Sequence, residues 1–185
     1  MADLPSLKIG NLEINPPIIQ GGMGIRVSGA NLASAVANTG YAGVIASTGI
    51  GLFEEYKGNL LIFNGESLRK EIRKARAMSK GIIGVNILFA LTDYENLVKV
   101  SVEEKVDMII SGAGLPLDLP KFLNGQDIKL IPVVSSAKAL ALIIKRWKGR
   151  YNKLPDAVIV EGYKAGGHLG YSAESLADNT AMELE

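Results

Sequence analysis

The single histidine of this chain, His168, lies in the run Ala165-Gly166-Gly167-His168-Leu169-Gly170. Imidazole is the side chain whose ordinary pKa lies nearest neutrality, so on a loop beside a ligand surface it can take up a proton. The glycines around it let backbone approach a flat or bulky ligand without interference from Cβ atoms. A surface loop with an incidental histidine is the competing reading of this motif alone. Just upstream, residues 157–160 are an unbroken run of small and β-branched apolar side chains, the pattern of a strand buried on both faces of a parallel sheet. Glu161 ends that run abruptly. A second constellation, Gly21-Gly22-Met23-Gly24, follows another apolar run at residues 17–20. Asn86 is the one polar residue near the end of a third run, residues 82–87.

Several chemistries are excluded on composition. There are no cysteines, hence no disulfides, thiolate nucleophiles or thiolate metal ligands, and a reducing cytoplasm fits that usage. With one histidine, a zinc site would need an almost wholly carboxylate ligand set, which suits that metal poorly. No G-x-S-x-G elbow or Walker lysine motif occurs. Gly22-Met23-Gly24, Gly49-Ile50-Gly51 and Gly112-Ala113-Gly114 each begin a dinucleotide-binding G-x-G-x-x-G, but Val27, Glu54 and Leu117 stand where its third glycine belongs. Lysine plus arginine number 20 against 19 aspartate plus glutamate, a balance that argues for neither nucleic acid nor an anionic membrane as partner. No apolar run reaches the length of a membrane span, and no basic and then apolar leader opens the chain.

The elements that position these residues alternate. Residues 7–15 read as a hairpin lead-in, and strands are expected at 17–20, 43–46, 82–87, 106–110, 129–134 and 157–160. Helices are expected between them. The first covers residues 29–38, capped by Ser28 and ended by Gly40. A polar excursion with Phe53, Tyr56 and Phe63 suggests a lid or partner surface. It precedes a basic amphipathic helix over 66–79, with Leu68, Ile72 and Ala75 inward and a solvated charged face outward. Further helices are expected over 92–104, with a cap at Thr92-Asp93, over 116–123 and over 137–147. Hydrophobic residues at 48% and charged residues at 21% suit one folded domain over residues 1–185. Small or polar residues cluster after the strand ends, at Gly22, Asn86, Gly112, Ser135 and His168. That is the α/β pattern of a TIM (β/α)₈ barrel, whose active site is built from those loops.

Five ordered motifs resemble the nitronate monooxygenase, or 2-nitropropane dioxygenase, family. They are residues 17–24, 84–87, 111–114, 131–134 and the Glu161-Gly162-x-x-Ala165-Gly166-Gly167-His168-Leu169-Gly170 stretch. The flavin-dependent enoyl-acyl carrier protein reductases are similar in the same motifs. The resemblance implies an FMN enzyme on a TIM barrel, this chain covering about the first six βα units. The seventh and eighth strands, whose loops often hold a phosphate, would then be missing. It also implies the roles. Gly22, Met23 and Gly24 would form a flavin-contacting loop, with the Met23 side chain either touching the cofactor or filling core. Asn86 would hydrogen-bond the flavin, and Glu161 would face its ribityl or phosphate region. Ala165, Gly166 and Gly167 would pass beneath it, and His168 would be the catalytic base. The implied reaction is oxidation of a nitronate or nitroalkane with molecular oxygen. The alternatives are reduction of an acyl substrate by NAD(P)H and a non-catalytic fragment. An open arc of six strands would expose sheet edges, which makes a homo-oligomer a further expectation.

Overall fold

The computed structural model describes residues 4–52, 59–168, 170, 171 and 174. It opens with an antiparallel hairpin, β1 (Leu7–Ile9) and β2 (Leu12–Ile14). The expected strand over 17–20 is reduced to one parallel bridge between Ile19 and Ala42. Beyond it the Gln20 side chain replaces the backbone ladder. Its Nε2 donates to the Val44 carbonyl at 3.0 Å, and its Oε1 accepts from the Val44 N–H at 3.4 Å.

Five strands then pair in parallel and in chain order: β3 (Gly43–Ala46), β4 (Ile83–Leu88), β5 (Met108–Gly112), β6 (Lys129–Val134) and β7 (Ile159–Val160). Preceding or linking them are α1 (Ala30–Ala37), α2 (Leu60–Met78), α3 (Tyr94–Glu103), a 3-10 turn at Leu119–Phe122 and α4 (Ala137–Tyr151). A doubly wound sheet reverses its strand order at a switch point. Strictly sequential order with right-handed crossovers puts the helices on one face, as in part of a (β/α) barrel.

The two faces of each strand therefore have different neighbours. Ile45, Ile83, Val85, Ile87, Ile109 and Leu130 belong to a large core with the helices, which contribute Leu68, Ile72, Leu97 and the fully buried Trp147. The residues between them, Val44, Met108, Ile110 and Ile131, form a second core with Ile9 and Ile14 of the hairpin. The hairpin thus packs against the apolar concave face of the sheet. Because side chains alternate with a period of two, Asn86 falls on that face too, in register with Ala46 and Ile110.

Three expectations are corrected here. The run at 157–160 is not buried on both faces here: only Ile159–Val160 form the short β7, which among the described residues pairs on the β6 side alone, and Val160 is 58% exposed. Ser28 does not cap α1, because its hydroxyl is engaged elsewhere; the Glu71 carboxylate of α2 accepts from the Ala30 N–H at 2.6 Å instead. A carboxylate at a helix N-terminus also complements the macrodipole. At the start of α3 the Asp93 carboxylate caps nothing, since it accepts from Asn64 Nδ2 at 2.7 Å.

The expected lid is partly helix. Asn59 accepts from the Leu61 N–H at 2.9 Å and starts α2 well before residue 66, so Phe63 lies inside the helix. Phe53 and Tyr56 lie outside the described residues. The charged face of α2 is paired across to α3 rather than merely solvated. Arg69 reaches Glu103 at 2.7 Å and Glu104 at 2.5 Å, and Arg73 reaches Glu104 at 2.8 Å. Hydrogen bonds from Arg73 and then Arg69 hold the Glu104 carboxyl below its ordinary value, against the opposing desolvation. A depressed folded-state pKa contributes stability that is present above the ordinary carboxylate range and lost as pH falls through the folded value. Glu104→Gln should therefore lower stability by about 1 kcal/mol at neutral pH, the screened value of a charged network. In urea unfolding the gap from the parent should close as the pH falls below about 4.

Candidate functional site

At the C-terminal ends of the strands the concave face opens into a cleft of about 950 Å³. Its floor and walls are largely apolar: Ile19, Leu88, Ile110, Val133 and Ile159 point into it from successive strands or strand-like segments. Asn86 provides a polar group in that wall. Among the described residues its side-chain amide has no hydrogen-bond partner, so both donor and acceptor capacity remain for a ligand.

The loop after residue 20 forms one rim, with Gly21, Gly22, Met23, Gly24 and Ile25 on the cleft. A Cβ atom at Gly22 would run into the Asn86 side chain, so the loop backbone lies against that amide only because the residue is glycine. Met23 is 46% exposed on the rim and is not a core filler. The loop is held from beneath by Ser28, which is fully buried. Ser28 Oγ accepts from the Met23 N–H at 3.0 Å and from Gln20 Nε2 at 2.9 Å, and donates to the Gly21 carbonyl at 3.2 Å. The Ser28 N–H donates to the Met23 carbonyl at 2.9 Å. Gln20 and Ser28 hold this rim of the cleft, a part that reading the sequence missed. The signal available was a glutamine at the end of an apolar run, followed eight residues later by a serine.

The loop after β7 forms the opposite rim. Glu161, Gly166, Gly167 and His168 line the cleft, and Glu161 and His168 are the ionisable side chains among the described residues on its wall. Gly167 has φ +94°, a conformation side chains rarely adopt. Ala165 does not reach the wall: its N–H turns back to the Gly162 carbonyl at 2.9 Å. Glu161 is not a free strand-end charge. Its Oε2 accepts from Ser135 Oγ at 2.9 Å and from the Gly170 N–H at 2.9 Å. Ser135 serves as that anchor and does not line the cleft. Of the strand-end residues expected to gather, Gly22, Asn86, Gly112 and His168 share the cleft. Among the described residues, no cluster of side chains is suited to hold a metal ion, and no helix is long and apolar enough to cross a membrane.

A parallel α/β sheet in sequential order, with its cleft at the strand C-termini, defines a barrel-type enzyme scaffold. The chain belongs to the nitronate monooxygenase family, whose model matches residues 5–97 and 89–185. It is 31% identical over 165 residues to a (3aS,4S,5R,7aS)-5-hydroxy-7a-methyl-1-oxo-octahydro-1H-indene-4-carboxyl-CoA dehydrogenase of Mycobacterium tuberculosis (strain ATCC 25618 / H37Rv), covering 89% of this chain and 41% of that protein. It is 28% identical over 163 residues to the Rhodococcus jostii (strain RHA1) enzyme of the same name, covering 88% and 40%. Among solved structures it resembles FabK from Thermotoga maritima, with a TM-score of 0.67 and 31% identity over 91% of this chain and 48% of that one. The M276A mutant of that FabK gives a TM-score of 0.66 and 34% identity over 83% and 45%. The chain thus spans about two-fifths of the length of these curated relatives and just under half of the solved chains.

The Ser28 network yields a prediction that needs no ligand. Ser28→Ala leaves the Met23 N–H without its acceptor and should cost about 1–3 kcal/mol in chemical denaturation. Hydrogen exchange at the Met23 amide should accelerate well beyond that of the β4 amides.

Proposed function

We propose that this chain carries the flavin bed and the catalytic base of an FMN-dependent oxidoreductase acting on alkyl nitronates and nitroalkanes, with molecular oxygen as final acceptor. The observation that carries this reading is the convergence of the residue 21–24 loop, Asn86 and the Gly166 to His168 segment on one apolar cleft. The cleft fits a flat cofactor. Gly22 gives up its side chain where a Cβ atom would collide with Asn86, and the Asn86 amide is unpartnered among the described residues.

Gly22 and Gly24 would present backbone N–H groups to the isoalloxazine edge, Met23 would contact it from between them with its own N–H held by Ser28, and Asn86 would hydrogen-bond the ring. Gly166 and Gly167 would lie beneath the cofactor, with Ala165 shaping the turn behind them. Glu161 would meet the ribityl hydroxyls through Oε1, since Oε2 is already engaged. FMN, when bound, supplies the electron acceptor. His168 takes the proton from the carbon next to the nitro group onto an imidazole nitrogen, and the apolar walls keep bulk water away from the resulting carbanion. A preformed nitronate has already lost that proton and does not need the base. The wider architecture in this reading is a TIM barrel of which the chain supplies about six βα units.

A second reading is favoured by the names of the curated relatives, which are carboxyl-CoA dehydrogenases. In it the substrate is an acyl thioester and a nicotinamide nucleotide exchanges electrons with the flavin.

Titration with FMN should give a yellow complex, and propyl nitronate should bleach it in anaerobic mixing while NADH and NADPH do not. Bleaching by a nicotinamide nucleotide alone would put the acyl reading first, and a protein that took up no FMN would remove both. His168→Ala should bind FMN as the parent does and lose about 10²–10⁴-fold in turnover of neutral nitroalkane, with a far smaller loss on the preformed nitronate.

A further inference from the structure

The loop carrying His168 leaves the sheet at Glu161 and returns to it at Gly170 and Tyr171, and three hydrogen bonds close its base. Glu161 Oε2 accepts from the Gly170 N–H at 2.9 Å. The same oxygen accepts from Ser135 Oγ, just past the end of β6, at 2.9 Å. The Tyr171 hydroxyl donates to the Glu161 carbonyl at 2.8 Å. The approach is tight enough that a Cβ atom on Gly170 would collide with Ser135 Oγ. Beneath this closure β7 pairs with β6 through only Val133 to Ile159 and Val134 to Val160, and the Glu161 N–H adds one more bond to the Val134 carbonyl at 2.8 Å.

We propose that Glu161 is a positioning residue. Its carboxylate clips the two ends of the 162–170 loop to Ser135 and so fixes where His168 stands over the cleft. The proposal rests on the reading of His168 as the base and changes what Glu161 is for: its main work is on the loop, and contact with the cofactor is secondary. Three features of the site support it. The bonded oxygen is shared by two donors from different elements, β7 itself is too short to hold a loop of that length, and the loop glycines provide no side chains for packing. Among the described residues at Gly166 and Gly167, a Cβ atom would meet nothing within 4 Å, so close packing does not restrain that part of the loop. A reacting group that drifts by about 1 Å can lose 10²-fold in rate, which is the scale on which such a clip matters.

Because the chain has one histidine, the imidazole Hε1 signal in a proton NMR spectrum belongs to His168 without assignment. In flavin-free protein, Glu161→Ala should raise hydrogen exchange at the Gly170 amide by at least tenfold and change the position or width of the Hε1 signal. With the variant saturated with FMN, turnover of nitroalkane should fall about 10- to 100-fold with little change in KM. Glu161→Gln keeps an acceptor oxygen at the same place and should recover most of the Gly170 protection and part of the turnover. Ser135→Ala, which removes one donor only, should move every readout in the same direction by less, and it serves if Glu161→Ala does not fold. Unchanged Gly170 exchange and Hε1 signal in Glu161→Ala would overturn the clip. So would a variant whose FMN affinity falls tenfold or more while both loop signals stay as in the parent, since Glu161 would then be a cofactor ligand. If the parent bound no FMN, the flavin reading would fall while the flavin-free signals still decided the clip.

Discussion

Asn86 stands opposite Ala46 on one side and Ile110 on the other because β3, β4 and β5 run parallel in strict order with an unbroken register. Everything at the cleft depends on that ladder. A slip of one residue would turn Asn86 into the helical layer and Ile87 onto the concave face, since side chains alternate along a strand. An amide would then be buried among Ile72, Leu97 and Val98 without a partner, at a cost of roughly 1–3 kcal/mol, and the apolar wall would be interrupted elsewhere. The large helix-facing core thus selects the register, and the register delivers the polar group to the cleft.

Much of this was legible in the residues. The strands at 43–46 and 129–134 lie as expected, starting on Gly43 and Lys129 and each followed at once by a serine, Ser47 and Ser135. Two of the positions that misled did so because a side chain is engaged by a partner the local pattern does not show. Ser28 has the composition of a helix cap, yet its hydroxyl is taken by Gln20, Gly21 and Met23, and the cap comes from Glu71 on another helix. Glu161 has the look of a ligand-facing charge, yet one of its oxygens closes a loop. Apolar content alone could not show how far the run at 157–160 is covered, because that depends on neighbours distant in sequence.

The two rims of the cleft are held by different means. On one side a buried serine and a glutamine replace backbone pairing and fix a glycine loop against Asn86. On the other, a carboxylate at the strand end gathers Ser135 and Gly170. Both devices use a single acceptor oxygen shared by two donors, which fixes geometry with few atoms and leaves the glycine backbones facing the cleft. Charge is sparse on the cleft wall itself, and the dense ion pairing of Arg69, Arg73 and Glu104 lies away from it, between α2 and α3. The densest ion pairing thus lies apart from the cleft, whereas the rims are held by neutral and shared hydrogen bonds.

The hairpin at the start of the chain has a consequence for the order of folding. Ile9 and Ile14 share their apolar cluster with Met108, Ile110 and Ile131, residues made much later during synthesis. The hairpin thus finds part of its cluster at Ala42 and Val44 but completes its docking only once β5 and β6 exist, a closure between residues far apart in sequence. Before then part of the apolar side of β1 and β2 stays exposed, as does the part of the concave face that they cover. Until that docking is complete, the apolar side of the hairpin is open to a chaperone or to early mispairing.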